Sequence, residues 1–164
     1  MNSENKTTIS FGEPITTPCL VPVIHNPPPT RCINKPFNVN GEWYNVTAMS
    51  FGSPHGAVFV DDVDSVNVSA IGSMLGTHVL FPKGASIVFI QTLNSETLKI
   101  RLWQHSEGEI PFTSEAVCVA GTAAMMLQKT LASKVNILIG NETFQVHWDR
   151  CAGSVSLTGA CHLI

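Results

Sequence analysis

Charge is what this sequence has least of. Only 13 % of its 164 residues are charged, nine basic against twelve acidic, for a net charge of −3. No basic stripe is present, which argues against nucleic acid as the main partner. No apolar run reaches the length of a membrane span, and the opening Met1-Asn2-Ser3-Glu4-Asn5-Lys6 is polar rather than a signal peptide. The five cysteines (Cys19, Cys32, Cys118, Cys151 and Cys161) are odd in number and scattered, so no disulfide framework is expected. None stands at C-x-x-C spacing, so no zinc site is expected either. Sequons at Asn5, Asn45, Asn67 and Asn141 are read as chance, and a cytoplasmic protein with reduced thiols is the simplest account.

What is present is enough apolar material for a core: 44 % of residues are hydrophobic. Low charge with this much apolar content also suggests apolar surface covered by another subunit. The length predicts one domain over residues 1–164, with residues 1–7 as a loose tail. Thr8 to Phe11 reads as a short strand, and residues 16–36, centred on Pro27-Pro28-Pro29, as extended chain or loop. Asn38-Val39-Asn40-Gly41 predicts a hairpin turn into a strand from Trp43 to Met49. Asp64 is a candidate N-cap for a helix reaching Gly76. Ser86–Leu93 and Thr97–Trp103 read as a hairpin around Asn94-Ser95-Glu96, and residues 104–114 as polar, irregular chain. The small, apolar stretch Ala116 to Ala132 predicts a helix buried on most sides. Three strands follow, at 135–139, 144–148 and 154–158. The expected class is α+β, a mostly antiparallel sheet curled around one central helix.

Three stretches could carry chemistry. In Ser50-Phe51-Gly52-Ser53-Pro54-His55, Gly52 supplies backbone freedom and Pro54 stiffness, so His55 is presented at the entrance of the strand Ala57–Val60. A histidine held there can move protons near neutral pH, or can simply hydrogen-bond its own loop. In Ser114 to Thr122, Cys118 is placed at a loop-to-helix junction, where the helix dipole would favour a thiolate, and the N–H groups around Gly121 and Thr122 could hold a carboxylate. Alternatively Cys118 is a small core residue. The loop Trp103 to Glu109 holds a histidine and two carboxylates, read mainly as a solvated loop.

Segments in shared order along the chain resemble the C-terminal half of diaminopimelate epimerase. Ile9-Ser10-Phe11-Gly12-Glu13-Pro14 resembles the segment opening that half. Ser50–His55 resembles the family's M-G-N-P-H, and Val58–Val63 its V-x-F-V-D-D-V. Ser86–Gln91 resembles N-V-x-F-V-Q, Arg101-Leu102-Trp103 resembles R-V-W, and Leu157-Thr158-Gly159 the closing T-G-P. The resemblance implies a strand barrel around a central helix. It implies cofactor-independent racemisation or epimerisation, without pyridoxal phosphate, of an amino-acid-like carboxylate. Two such halves would close over the substrate, so a homodimer or a partner chain is implied. By position it makes His55 and Cys118 catalytic, Gly121 and Thr122 carboxylate-binding, and Ser53, Ser86 and Gln104 pocket-lining. Departures are visible: Ser53 and Ser86 replace asparagines, Gln104-His105-Ser106 replaces E-R-G, and Cys118-Val119-Ala120-Gly121 replaces C-G-[ST]-G. They open a second reading, a domain that kept the fold for binding, for a non-catalytic subunit role, or for a different step such as a cyclisation.

Overall fold

The structure, a computed structural model, describes residues 6–24 and 31–160. The Pro27–Pro29 loop, most of the N-terminal tail and Cys161 lie outside these. The strands are β1 (Lys6–Gly12), β2 (Lys35–Val39), β3 (Glu42–Ser50), β4 (Pro54–Phe59), β5 (Ser86–Asn94), β6 (Thr97–Gln104), β7 (Gly108–Ile110), β8 (Lys134–Ile139), β9 (Glu142–Asp149) and β10 (Ser154–Ala160). The helices are α1 (Val68–Gly76) and α2 (Ser114–Met126).

The strands form one sheet in the order β1-β10-β9-β8-β6-β5-β4-β3-β2, with β7 pairing β6 off this path. Most pairs are antiparallel. The exceptions are β4–β5 and β6–β8, which are parallel. A parallel pair needs a crossover, and the two helices lie in those two crossovers. α2 packs against every strand on the path from β10 to β3, so the sheet curls around it as expected. α1 packs on the other face, against β2, β5 and β6. Strand alternation then sorts the core. Val88, Ile90, Ile100 and Leu102 face α2, while Ile87, Phe89 and Trp103 face the layer that holds α1.

Local chemistry set several boundaries differently from the sequence expectation. Thr113 caps α2, its hydroxyl accepting from the Ala116 N–H at 3.1 Å, so the helix starts two residues earlier than expected. It ends at Met126 because Gln128 takes a left-handed φ of 59° and Lys129 N–H closes onto the Ala124 carbonyl. Asp62 caps a 3-10 turn at Val63–Ser65, and Asn67 rather than Asp64 caps α1. Strand β7 occupies part of the stretch read as irregular, and Lys6 and Thr7 of the expected tail lie in β1. The β2–β3 turn is the one expected, with Asn40 and Gly41 both at positive φ.

Ten consecutive residues of α2, Ala116 to Met125, are buried. Small side chains make this enclosure possible. A Cβ built on Gly121 would lie 2.6 Å from the Cβ and Cγ1 of Val146 on β9. Replacing Gly121 by alanine should gain roughly 1 kcal/mol of helix propensity. It should lose about 1–3 kcal/mol to overpacking, for a net destabilisation. The urea midpoint of Gly121→Ala should fall below wild type, and Val146→Ala in the same chain should recover part of the loss. A midpoint at or above wild type would show that the strand does not press on the helix.

Candidate active site

The polar residues that face α2 collect at one end of the barrel. Strand alternation puts His55 on the same side as Ala57, Ser86 on that of Val88, and Gln104 on that of Leu102, all facing the helix. His55 and Ser86 are direct register partners across β4 and β5. The N-terminus of α2 arrives at this end and brings Glu115.

Ser53 joins the two ionisable groups. Its N–H and its hydroxyl both donate to Glu115 Oε1, at 3.1 and 3.0 Å. Its carbonyl lies 2.9 Å from His55 Nδ1. A carbonyl only accepts, so the proton of the neutral ring sits on Nδ1 and Nε2 carries the free lone pair. Nε2 is sealed from solvent and has no hydrogen-bond partner among the described residues. The turn that presents Ser53 depends on Gly52, whose φ of 142° a residue with a side chain adopts only with strain. Its Cα also lies against the Glu115 carboxylate, which a Cβ there would meet at 3.6 Å.

Burial lowers the pKa of His55 below the ordinary 6.5, and the Ser53 carbonyl and the Glu115 charge oppose that fall. The result is a neutral imidazole with one nitrogen anchored and the other unengaged. Ser86 is fully used: its hydroxyl donates to Gln104 Oε1 at 3.2 Å and accepts from the His105 N–H at 3.0 Å. This bond leaves the amide nitrogen of Gln104 as the side chain's other polar group.

Four of the expected site residues therefore meet: Ser53, His55, Ser86 and Gln104. The other three do not. Cys118 lies in the second turn of α2, not at its junction, and has no exposure. Burial, then the charge of Glu115, push its thiol up to about 12. That is the reverse of the low-pKa thiolate expected, because the capped helix start lies at Thr113 and the cysteine is inside the core. Gly121 and Thr122 lie about 9–10 Å further along the axis than Glu115, at the α-helical rise. Their N–H groups belong to the helix interior and are not free to bind a carboxylate. Thr122 has no exposure, and its hydroxyl finds no partner among the described residues. Glu115 is the residue that sequence reading passed over. Its signal was present: a carboxylate just inside a helix, two residues after a threonine able to cap.

The buried imidazole couples stability to pH. Unfolded, His55 takes up a proton near the ordinary 6.5; folded, it does so only at lower pH. Its contribution is complete above 6.5 and is lost as pH falls from there through the folded value. The urea midpoint of wild type should thus drop more on acidification through this window than that of His55→Gln. In Glu115→Gln, the histidine ring should titrate lower still by NMR, because an opposing negative charge is gone. Equal acid sensitivity of wild type and His55→Gln would exclude the coupling.

Residues 47–163 match the family model for diaminopimelate epimerase. A diaminopimelate epimerase of Leptospira biflexa is 33 % identical over 152 residues, covering 93 % of this chain and 53 % of its own length. That of Desulforapulum autotrophicum is 30 % identical over 155 residues, covering 92 % and 52 %. The chain thus spans about half the length of the curated relatives it matches. Two solved structures share the fold. One is a predicted epimerase from Pseudomonas aeruginosa, at a TM-score of 0.59 and 13 % identity, covering 98 % of this chain and 57 % of that one. The other is a PhzF-family phenazine biosynthesis protein from Bacillus anthracis, at 0.57 and 15 % identity, covering 96 % and 58 %. With a family model spanning most of the chain and an epimerase-like α+β fold of matching shape, this chain belongs to the diaminopimelate epimerase family.

Proposed function

We propose that this domain contributes the proton-transferring group of a cofactor-independent isomerase acting at the α-carbon of an amino-acid-like carboxylate. The group is His55. The observation that carries the reading is a buried imidazole whose Nδ1 is held by the Ser53 carbonyl while Nε2 has no partner. Such a nitrogen is a base without a proton to accept from its own chain. Glu115 lies where the imidazolium formed by proton uptake would be stabilised by its charge, and Ser53 holds both groups in place.

Cys118 is not carried forward as the acid or base, because a thiol raised to about 12 and enclosed on all sides supplies almost no thiolate at neutral pH. In this reading it is part of the core. Nε2 is sealed, so a substrate reaches it only when the groups packed over it move. A second copy or a partner domain seated over this end would complete the cleft, exclude water and supply the group that handles the proton on the opposite face. The amide nitrogen of Gln104 is a donor that a substrate carboxylate on this side could use.

The rival reading is a domain of the same fold that binds a ligand or serves as a non-catalytic subunit, or that catalyses another step such as a cyclisation. The burial of His55 favours it, since a closed site turns nothing over. The test is α-proton exchange in deuterated water, followed by NMR on diaminopimelate and a panel of amino acids. Wild type should exchange the α-proton of at least one of them. His55→Asn should lose about 10²–10⁴-fold of that rate, the usual worth of a positioned acid or base. Glu115→Gln should reduce the rate and shift its pH profile downward, while Cys118→Ala should keep it. Exchange by His55→Asn at the wild-type rate, or its loss in a folded Cys118→Ala, would refute this assignment. No exchange from any substrate, alone or as an oligomer, would favour the rival.

A further inference from the structure

His78 stands just beyond the end of α1, where the chain crosses over to β5. Backbone groups engage both of its ring nitrogens. Nδ1 accepts from the Leu80 N–H at 3.1 Å, and Nε2 lies 3.1 Å from the Asn38 carbonyl oxygen. A backbone N–H only donates and a carbonyl only accepts. Nδ1 is therefore the bare nitrogen and Nε2 carries the proton. This is the opposite tautomer to that of His55, and here both positions are filled. A second proton has only Nδ1 to go to, and Nδ1 faces an N–H. The imidazolium, a donor at both nitrogens, cannot hold Asn38 and Leu80 together.

The ring bridges parts of the fold that are distant in sequence. Asn38 lies on β2, in the β2–β3 hairpin. The Leu80 carbonyl accepts from the Ile24 N–H at 2.7 Å, so the segment before β2 hangs on the same joint. The imidazole packs on Phe37, with ring centres 5.0 Å apart, and Phe37 packs on Phe81 of the crossover at 5.3 Å. His78 is half-buried, so water reaches this joint. The titratable side chains on the elements around it are Lys35 on β2, Glu42 and Tyr44 on β3, Lys83 in the crossover, Cys19 in the segment before β2, and His105, which lies against Gly84. α1 contributes none. Among the described residues, none of these side chains bonds to the ring or forms an ion pair. The crossover held by this joint leads directly into Ser86.

We infer that His78 is a pH-sensitive clasp. Neutral, it ties the β2–β3 hairpin to Leu80 and, through Leu80, to Ile24. Protonated, it lets Leu80 go. The range from pH 8 down to about 5, in which histidines take up protons, is where the clasp opens. The inference does not depend on proton transfer by His55.

The test is amide hydrogen exchange on the nitrogen-labelled full chain, with protection taken relative to unstructured rates at each pH. The Ala85 amide is the internal reference, because it lies in the same crossover and donates to the Gly76 carbonyl at 2.9 Å rather than to a ring. Between pH 8 and 5, protection of Leu80 should fall about three- to tenfold relative to Ala85, the worth of one hydrogen bond. Ile24 should fall with it. In His78→Asn, which cannot titrate, both ratios should be constant across this range, whether or not the new side chain reaches Leu80. Ring nitrogen shifts of wild type at pH 8 should report His78 with its proton on Nε2. A proton on Nδ1 would overturn the inference. So would a Leu80 ratio that does not change with pH, one that changes equally in His78→Asn, or a fall at Leu80 that leaves Ile24 unaffected.

Discussion

The enclosure of α2 is the constraint on which the remaining structure depends. A helix buried along ten consecutive residues cannot carry charge or large side chains in its middle. It is built of alanine, valine, glycine and methionine with one cysteine and one threonine, and strands approach it closely enough for Gly121 to be needed against Val146. Polar chemistry is thereby driven to the two ends of the helix. At one end are Glu115, Ser53 and His55. At the other are Trp148, Arg150 and the left-handed Gln128 that turns the chain away.

The same constraint explains why two residues on one helix, Glu115 and Cys118, have such different chemistry. They lie three positions apart and on the same face. One is in the first turn, where the Ser53 backbone and hydroxyl can reach it. The other is one turn deeper, with hydrocarbon on every side, and its thiol is pushed up to about 12 by burial and by that same carboxylate. A single turn of helix separates a group that can carry charge from one that cannot. His55 is intermediate: buried, yet anchored through one nitrogen, with an anion close enough to offset part of the cost of protonation.

Much of the architecture could be read from the residues. The strand alternation, the Asn40-Gly41 turn and the run of small apolar residues each encode local geometry that nothing distant overrides. The placement of His55 just after a stiff turn was legible for the same reason, because Gly52 and Pro54 act on their own backbone, while its burial as the second residue of β4 was not. The convergence of Ser53, Ser86 and Gln104 was legible only through resemblance to a known family, since these residues sit on one turn and two different strands. What went astray was the start of α2. No residue along Thr113 to Cys118 marks the start unambiguously, and where the helix starts decides whether Cys118 stands at its tip or in its core. The capping bond from Thr113 to Ala116 decides between them.

The sequence by itself determined the class of fold, the elements and their order, and the presentation of His55. Those follow from periodicity and from backbone preferences acting over a few residues. Tertiary structure alone decided which ionisable groups share an environment. Glu115 meets Ser53 across 62 positions of chain, and that single meeting sets the tautomer-bearing turn beside a carboxylate. Proton affinity depends on the burial and charge around a group in space, and neither is written in its neighbours along the chain.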